Sequence, residues 1–172
     1  MIAALATVGI LIFPVMMTVA AVSDLMTMTI SNKISMILFG GFFAAALLAG
    51  MPYPMIGWHM VIGLIVLIAT FTMFAFNLLG GGDAKLAAVA ALWFGTDQVF
   101  VFLIYTALFG GGLSLAILGF RKYILPPRLA AVEWIARLHQ DGGDIPYGIA
   151  LAAGAMVAFP ETQWFKLLAA VL

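Results

Sequence analysis

Two aspartates stand out in a chain that is 66% hydrophobic and only 8% charged. Asp24 closes the first apolar run, Ile2 to Ser23. Asp83 follows the glycines of Leu79-Gly80-Gly81-Gly82-Asp83-Ala84-Lys85. A carboxylate in or beside a bilayer is costly, and its default reading is functional. Two of them held close together share one proton more cheaply than they carry two charges. The ionised member can take a proton from a water molecule attacking a carbonyl, while the protonated member hydrogen-bonds that carbonyl. Such a pair titrates as a unit, so neither acid alone is the base. Each also has a plainer reading. Asp24 can be a helix end at the headgroups, and Asp83 an N-cap for the orphan amides of a following helix. Gly80, Gly81 and Gly82 permit a tight turn and the close approach of another backbone. Lys85 reads as an interfacial anchor or as a partner of Asp83.

The composition dictates where these residues must work. A soluble domain carries roughly 25% charged residues, and several apolar runs here approach the roughly 20 residues that span a bilayer. The 172 residues therefore read as one all-α membrane domain, residues 1–172, with the lipid bilayer as a partner. Net charge is zero, so nucleic acid is not an expected partner. There is no cysteine, which excludes disulfides, thiolate metal sites and cysteine catalysis. His59 and His139 lie far apart, and Asp141 and Asp144 flank a Gly142-Gly143 turn, so neither a metal nor a cofactor is expected.

Hydropathy predicts six spans, near 3–22, 34–49, 56–79, 84–94, 98–120 and 145–159. The first is too long, and lacks the positive n-region, for a signal peptide. Pro14 is tolerable inside it. Gly50-Met51-Pro52-Tyr53-Pro54 and Gly95-Thr96-Asp97 are turns. Between the fifth and sixth spans, Arg128–His139 predicts a cytoplasmic amphipathic helix along the membrane surface. Leu129, Val132, Ile135 and Leu138 form its stripe, and Glu133 and Arg137 its i,i+4 pair. Ala107/Gly111, Gly112/Ala116 and Ala150/Gly154 are candidates for close helix packing, and Asn77 for an interhelical hydrogen bond. Trp58, Trp93, Trp134, Trp164 and His59 fall near span ends, as interfacial residues do.

Alternating loops put Lys33, Lys85, Arg121, Lys122, Arg128 and Arg137 on one side and only Lys166 on the other. The positive-inside rule makes the first side cytoplasmic and expects both termini outside. Asp24 and Asp83 then share the cytoplasmic face.

With order and topology in hand, the motifs resemble those of the type IV prepilin peptidases, a family of GxGD intramembrane aspartyl proteases. Gly80-Gly81-Gly82-Asp83 fits GxGD. Asp24 with Ile30-Ser31-Asn32 looks like the first-aspartate motif D-x5-I-P-N. Ile145-Pro146-Tyr147-Gly148 resembles the P-[FY]-G element that opens the last span. The small size is similar to that of the Tad/Flp-pilus class. The resemblance implies Asp24 and Asp83 as catalytic residues, with Gly80, Gly82, Lys85, Ile30, Asn32, Pro146, Tyr147 and Gly148 shaping the site. It also implies a prepilin substrate whose short basic leader is cut at the cytoplasmic face of the bacterial inner membrane while its hydrophobic helix stays embedded. Ser31 replaces the motif's proline, and Met26-Thr27-Met28-Thr29 stands where basic residues are common, which bears on leader recognition. Larger members carry a cysteine-rich element linked to N-methylation. With no cysteine, methyltransferase activity is not expected. Acids beside a glycine-broken helix also occur in proton- or ion-coupled transporters, and a non-catalytic pilus assembly subunit is the third reading. Asp24 and Asp83 at one interface, with no inverted repeat, weigh against transport.

Overall fold

The computed structural model describes residues 2–169, with side chains placed from residue 10 to residue 167. Among these residues every regular element is helical: α1 (Ile2–Thr27), α2 (Asn32–Leu48), α3 (Tyr53–Ala75), α4 (Gly81–Phe120), α5 (Pro127–Ala130), α6 (Glu133–His139), α7 (Tyr147–Ala158) and α8 (Gln163–Ala169), with a 3₁₀ turn at Phe159–Glu161. Three stretches are long and apolar enough to cross a membrane, Ile10–Thr27, Tyr53–Ala75 and Gly81–Phe120. Asn32–Leu48 and Tyr147–Glu161 are shorter apolar helices. Large apolar side chains point outward along their length, among them Met36, Ile68, Phe100, Leu108 and Leu115. An apolar shell of this extent suits lipid rather than water.

The helix ends follow local chemistry. α1 continues past Val22 and carries Asp24 in its last turns. It stops where Met28 adopts a left-handed φ of 53° and its amide bonds Asp24 O at 2.7 Å. Pro14 leaves α1 unbroken, and Thr18 Oγ1 bonds back to its carbonyl at 2.9 Å. Ser31 caps α2 by accepting from the Lys33 amide. α3 ends at Ala75, earlier than hydropathy suggests, because Asn77 takes the left-handed stop position (φ 57°) and the Leu78 amide closes on Met73 O at 2.9 Å. Asn77 thus terminates its own helix and, among the described residues, its side chain bonds no neighbouring one.

The predicted fourth and fifth spans are continuous as α4, interrupted only at Gly95 (φ 59°, ψ −157°). A straight helix of this length would run about 60 Å, with residues eight apart separated by about 12 Å along its axis. The rings of Phe94 and Phe102 instead stack at 4.7 Å, so the chain turns sharply at Gly95. Its first half packs antiparallel on α3: Thr70 Oγ1 bonds Ala84 O at 3.1 Å, and His59 Nδ1 meets Leu92 O at 2.7 Å. Its second half packs antiparallel on α7 through Gly110 against Tyr147 and Thr106 against Gly154. Ala150 and Gly154 are buried there as predicted, whereas a Cβ at Gly111 or Gly112 would meet nothing, so the packing signal in span five lies at Gly110.

The core is aromatic. Phe13, Phe42, Trp93 and Trp164 are fully buried, with Phe13–Trp93 and Trp93–Trp164 ring separations of 5.1 and 5.4 Å. Trp93 Nε1 bonds Leu38 O at 3.0 Å, and Trp164 Nε1 bonds Trp93 O at 2.7 Å. These two tryptophans and the buried His59 are therefore core residues, not interfacial ones as their positions near span ends suggested. Trp58 is the exposed member of the set. Arg128–His139 is two short helices rather than one, and Arg137 reaches the carbonyl of Met26 at 3.0 Å instead of pairing with Glu133.

Candidate active site

Asp24 and Asp83 come together at one end of the bundle. Both are buried, at 5% and 8% exposure, with Asp83 close enough to feel the charge of Asp24. Asp24 is presented by the last turns of α1. Asp83 lies in the first turn of α4, three residues after its Gly80 N-cap. The start of α7 supplies the third side. The amide of Gly148 donates to Asp24 Oδ2 at 2.7 Å. Amides in the first turn of a helix have no partner within it and form its positive dipole end, so this position suits a carboxylate.

Three glycines make room for the acids. A Cβ at Gly148 would stand 2.8 Å from Asp24 Oδ2 and 3.0 Å from Ile30 Cδ1. One at Gly80 would stand 2.7 Å from Asp83 Oδ2, and one at Gly82 3.1 Å from Ile30 Cβ. Ile30 is thus a wedge that touches the Asp83 helix on one side and the Asp24 clamp on the other. Pro146 is fully buried, and Tyr147 Oη meets Ser114 Oγ at 3.1 Å, which fixes the start of α7 against α4. Lys85 does not pair with Asp83. Its Nζ donates to Asn32 Oδ1 at 3.0 Å, on another face of α4. All ten residues singled out from the sequence therefore gather at one end, six of them, Asp24, Ile30, Gly80, Gly82, Asp83 and Gly148, in or against the acid pocket.

Sequence reasoning missed Ser114 and the roles of Arg121 and Arg137. Arg121 donates to the carbonyls of Leu138 and Gly143, both at 2.9 Å, and so holds the loop leading into Pro146. Arg137 binds the end of the helix that carries Asp24. Both arginines serve backbone carbonyls, which leave no mark on side-chain spacing.

The arrangement can bind and move one proton. Asp24 has an oxygen fixed by a backbone donor, whereas Asp83 Oδ1 is buried with no partner among the described residues. A buried oxygen left open in this way is available to a water molecule or a substrate group.

A membrane-capable helical bundle with paired carboxyls at one end defines the class. The particular family follows from comparison. Residues 11–115 match the model of the type IV leader peptidase family, and the chain belongs to that family. The match includes Asp24, Ile30, Asn32 and the whole of Gly80–Lys85 but stops short of Pro146, Tyr147 and Gly148. No curated protein and no solved structure matches the chain at a significant level. Membership makes it a peptidase of the prepilin-processing kind.

Proposed function

We propose that this protein is an aspartic endopeptidase that removes the leader of Flp-type prepilins at the cytoplasmic face of the inner membrane, with Asp24 and Asp83 as the catalytic dyad. The observation that carries this reading is the convergence of the two acids, remote in sequence, in one buried pocket under the Gly148 amide. The carboxyl held by Gly148 and the one with an open oxygen suit the two roles, activating water and hydrogen-bonding the scissile carbonyl. The roles exchange when the amine leaves, so the site needs neither metal nor cofactor.

A six-pass arrangement is part of the proposal: α1, α2, α3, the two halves of α4 divided at Gly95, and α7. A 40-residue helix is twice what a bilayer core of about 30 Å requires. Lys85, Arg121 and Arg137 sit at the acid end, which supports a cytoplasmic site and outward-facing termini. Cleavage without methylation is the expected outcome for a chain that has no cysteine.

Co-expression with an Flp-type pilin precursor tests the dyad. Asp24→Asn and Asp83→Asn should each cut the rate of precursor shortening by about 10²-fold or more. Wild-type processing by either variant, in protein that still inserts into the membrane, sinks the dyad.

A further inference from the structure

A cavity of about 810 Å³ opens between α2 and α3, with α4 as its back wall. Both helices pack on α4, α3 heavily and α2 less so, while they touch each other little, and a trough is left between them. Its walls are apolar, from Met36 and Phe39 on α2 to Leu64 and Leu67 on α3. Its one charged residue is Lys85, bonded to Asn32 at the acid end. We propose that this trough is the docking site for the membrane-embedded apolar helix of the substrate, with the chain continuing from its Lys85 end to the acids. The proposal rests on the peptidase reading above.

Three observations carry it. First, the trough follows α2 from Asn32 to Gly40, about 12 Å of helix axis, and a helix with its side chains is about 10–12 Å across. The volume therefore suits some two turns of an apolar helix. Second, Gly40 lines the trough, and a Cβ built on it would meet nothing within 4 Å. Bare backbone on a membrane helix is what a second helix needs in order to approach closely. Third, the trough ends at the acid end of the bundle, with α4 between it and Asp83. Lys85 lies two residues beyond Asp83, about 200° around the same helix. A chain leaving the trough must pass the start of α4 to reach the dyad. Gly80, exposed at the start of α4 and directly against Asp83, stands there, and about three extended residues cover the width of one helix. An embedded helix would thus hold its own extended flank over the acids.

The test separates docking from chemistry. A photoreactive phenylalanine analogue is placed at Met36 or Leu64, both exposed in the trough, and at Leu115, exposed elsewhere. The carrier is the full chain bearing Asp83→Asn, co-expressed in membranes with a pilin precursor. Cross-links to the precursor should form from the trough and at least fivefold less from Leu115. In the active protein, Gly40→Phe should raise KM at least fivefold with kcat within twofold of wild type. Cross-links to lipid alone, or to a second copy of this chain, overturn the proposal, as does an unchanged KM in Gly40→Phe. Precursor cleavage that survives Asp83→Asn counts against the dyad instead and leaves the cross-linking result to decide the docking site.

Discussion

Gly148 joins the two halves of the site at the scale of single atoms. Its amide holds Asp24, and its missing side chain is what lets Asp24 and Ile30 sit where they do. Gly148→Ala should therefore lower precursor cleavage by about 10-fold or more, because a displacement of about 1 Å at a catalytic group already costs up to about 10²-fold. Gly111→Ala, which meets nothing, should leave cleavage unchanged in the same assay. Equal activity in the two variants would remove Gly148 from the site. At this scale the sequence was informative where charge is scarce. Asp24 and Asp83 are conspicuous because a carboxylate among apolar residues needs a reason. Gly148 came only from a motif, since one backbone amide among many looks like any other. By sequence Lys85 is an anchor or a partner of Asp83, and it bonds Asn32 because the turn of α4 aims the two side chains apart.

Among the elements, the bend in α4 decides how the bundle closes. Gly95 combines a positive φ with a space already taken, since a Cβ there would lie 2.6 Å from His59 Cε1. His59 in turn anchors α3 to the carbonyl of Leu92. Gly95→Ala should cost about 1–3 kcal/mol of stability, the range for a non-glycine residue forced into such a backbone region, read as a lower unfolding midpoint in detergent. His59→Ala in the same background should recover only part of the loss, because it relieves the clash and leaves the φ. Full recovery would mean that the ring, not the backbone, sets the requirement. Hydropathy located this turn and the neighbouring helices within a few residues. It missed the burial of His59, Trp93 and Trp164, because their partners are main-chain carbonyls on remote helices and α8 returns to the core only after the chain has turned. It also drew one amphipathic helix where α5 and α6 are separate: Glu133 and Arg137 both lie in α6, but the chain breaks before them, where Val132 turns extended (φ −94°, ψ 110°), and Arg137 bonds Met26 O rather than Glu133.

Across the whole molecule, the two ends of the bundle differ in chemistry. One holds the acids with Lys85, Arg121 and Arg137. The other holds His59, Gly95 and Trp164, with Thr96, Asp97 and Glu161 around a smaller polar pocket. In a bilayer, basic residues on short loops favour the cytoplasm, so the acid end should face inward and both halves of α4 should cross. The chain lacks cysteine, so single cysteines report topology without background. Ile124, 96% exposed beyond the end of α4, and Tyr53, 80% exposed at the start of α3, mark the two ends. Thr96, exposed at the bend, marks the middle of α4. In intact cells a membrane-impermeant maleimide should label Tyr53→Cys and Thr96→Cys, and should label Ile124→Cys only after the membrane is opened. Outside labelling of Ile124→Cys would place the acids on the wrong face for a cytoplasmic leader. Protection of Thr96→Cys with labelling of Tyr53→Cys would mean that the bend does not return α4 across the bilayer. The six-pass arrangement would then fall while the acid pocket, which is built from helix ends that meet directly, would stand.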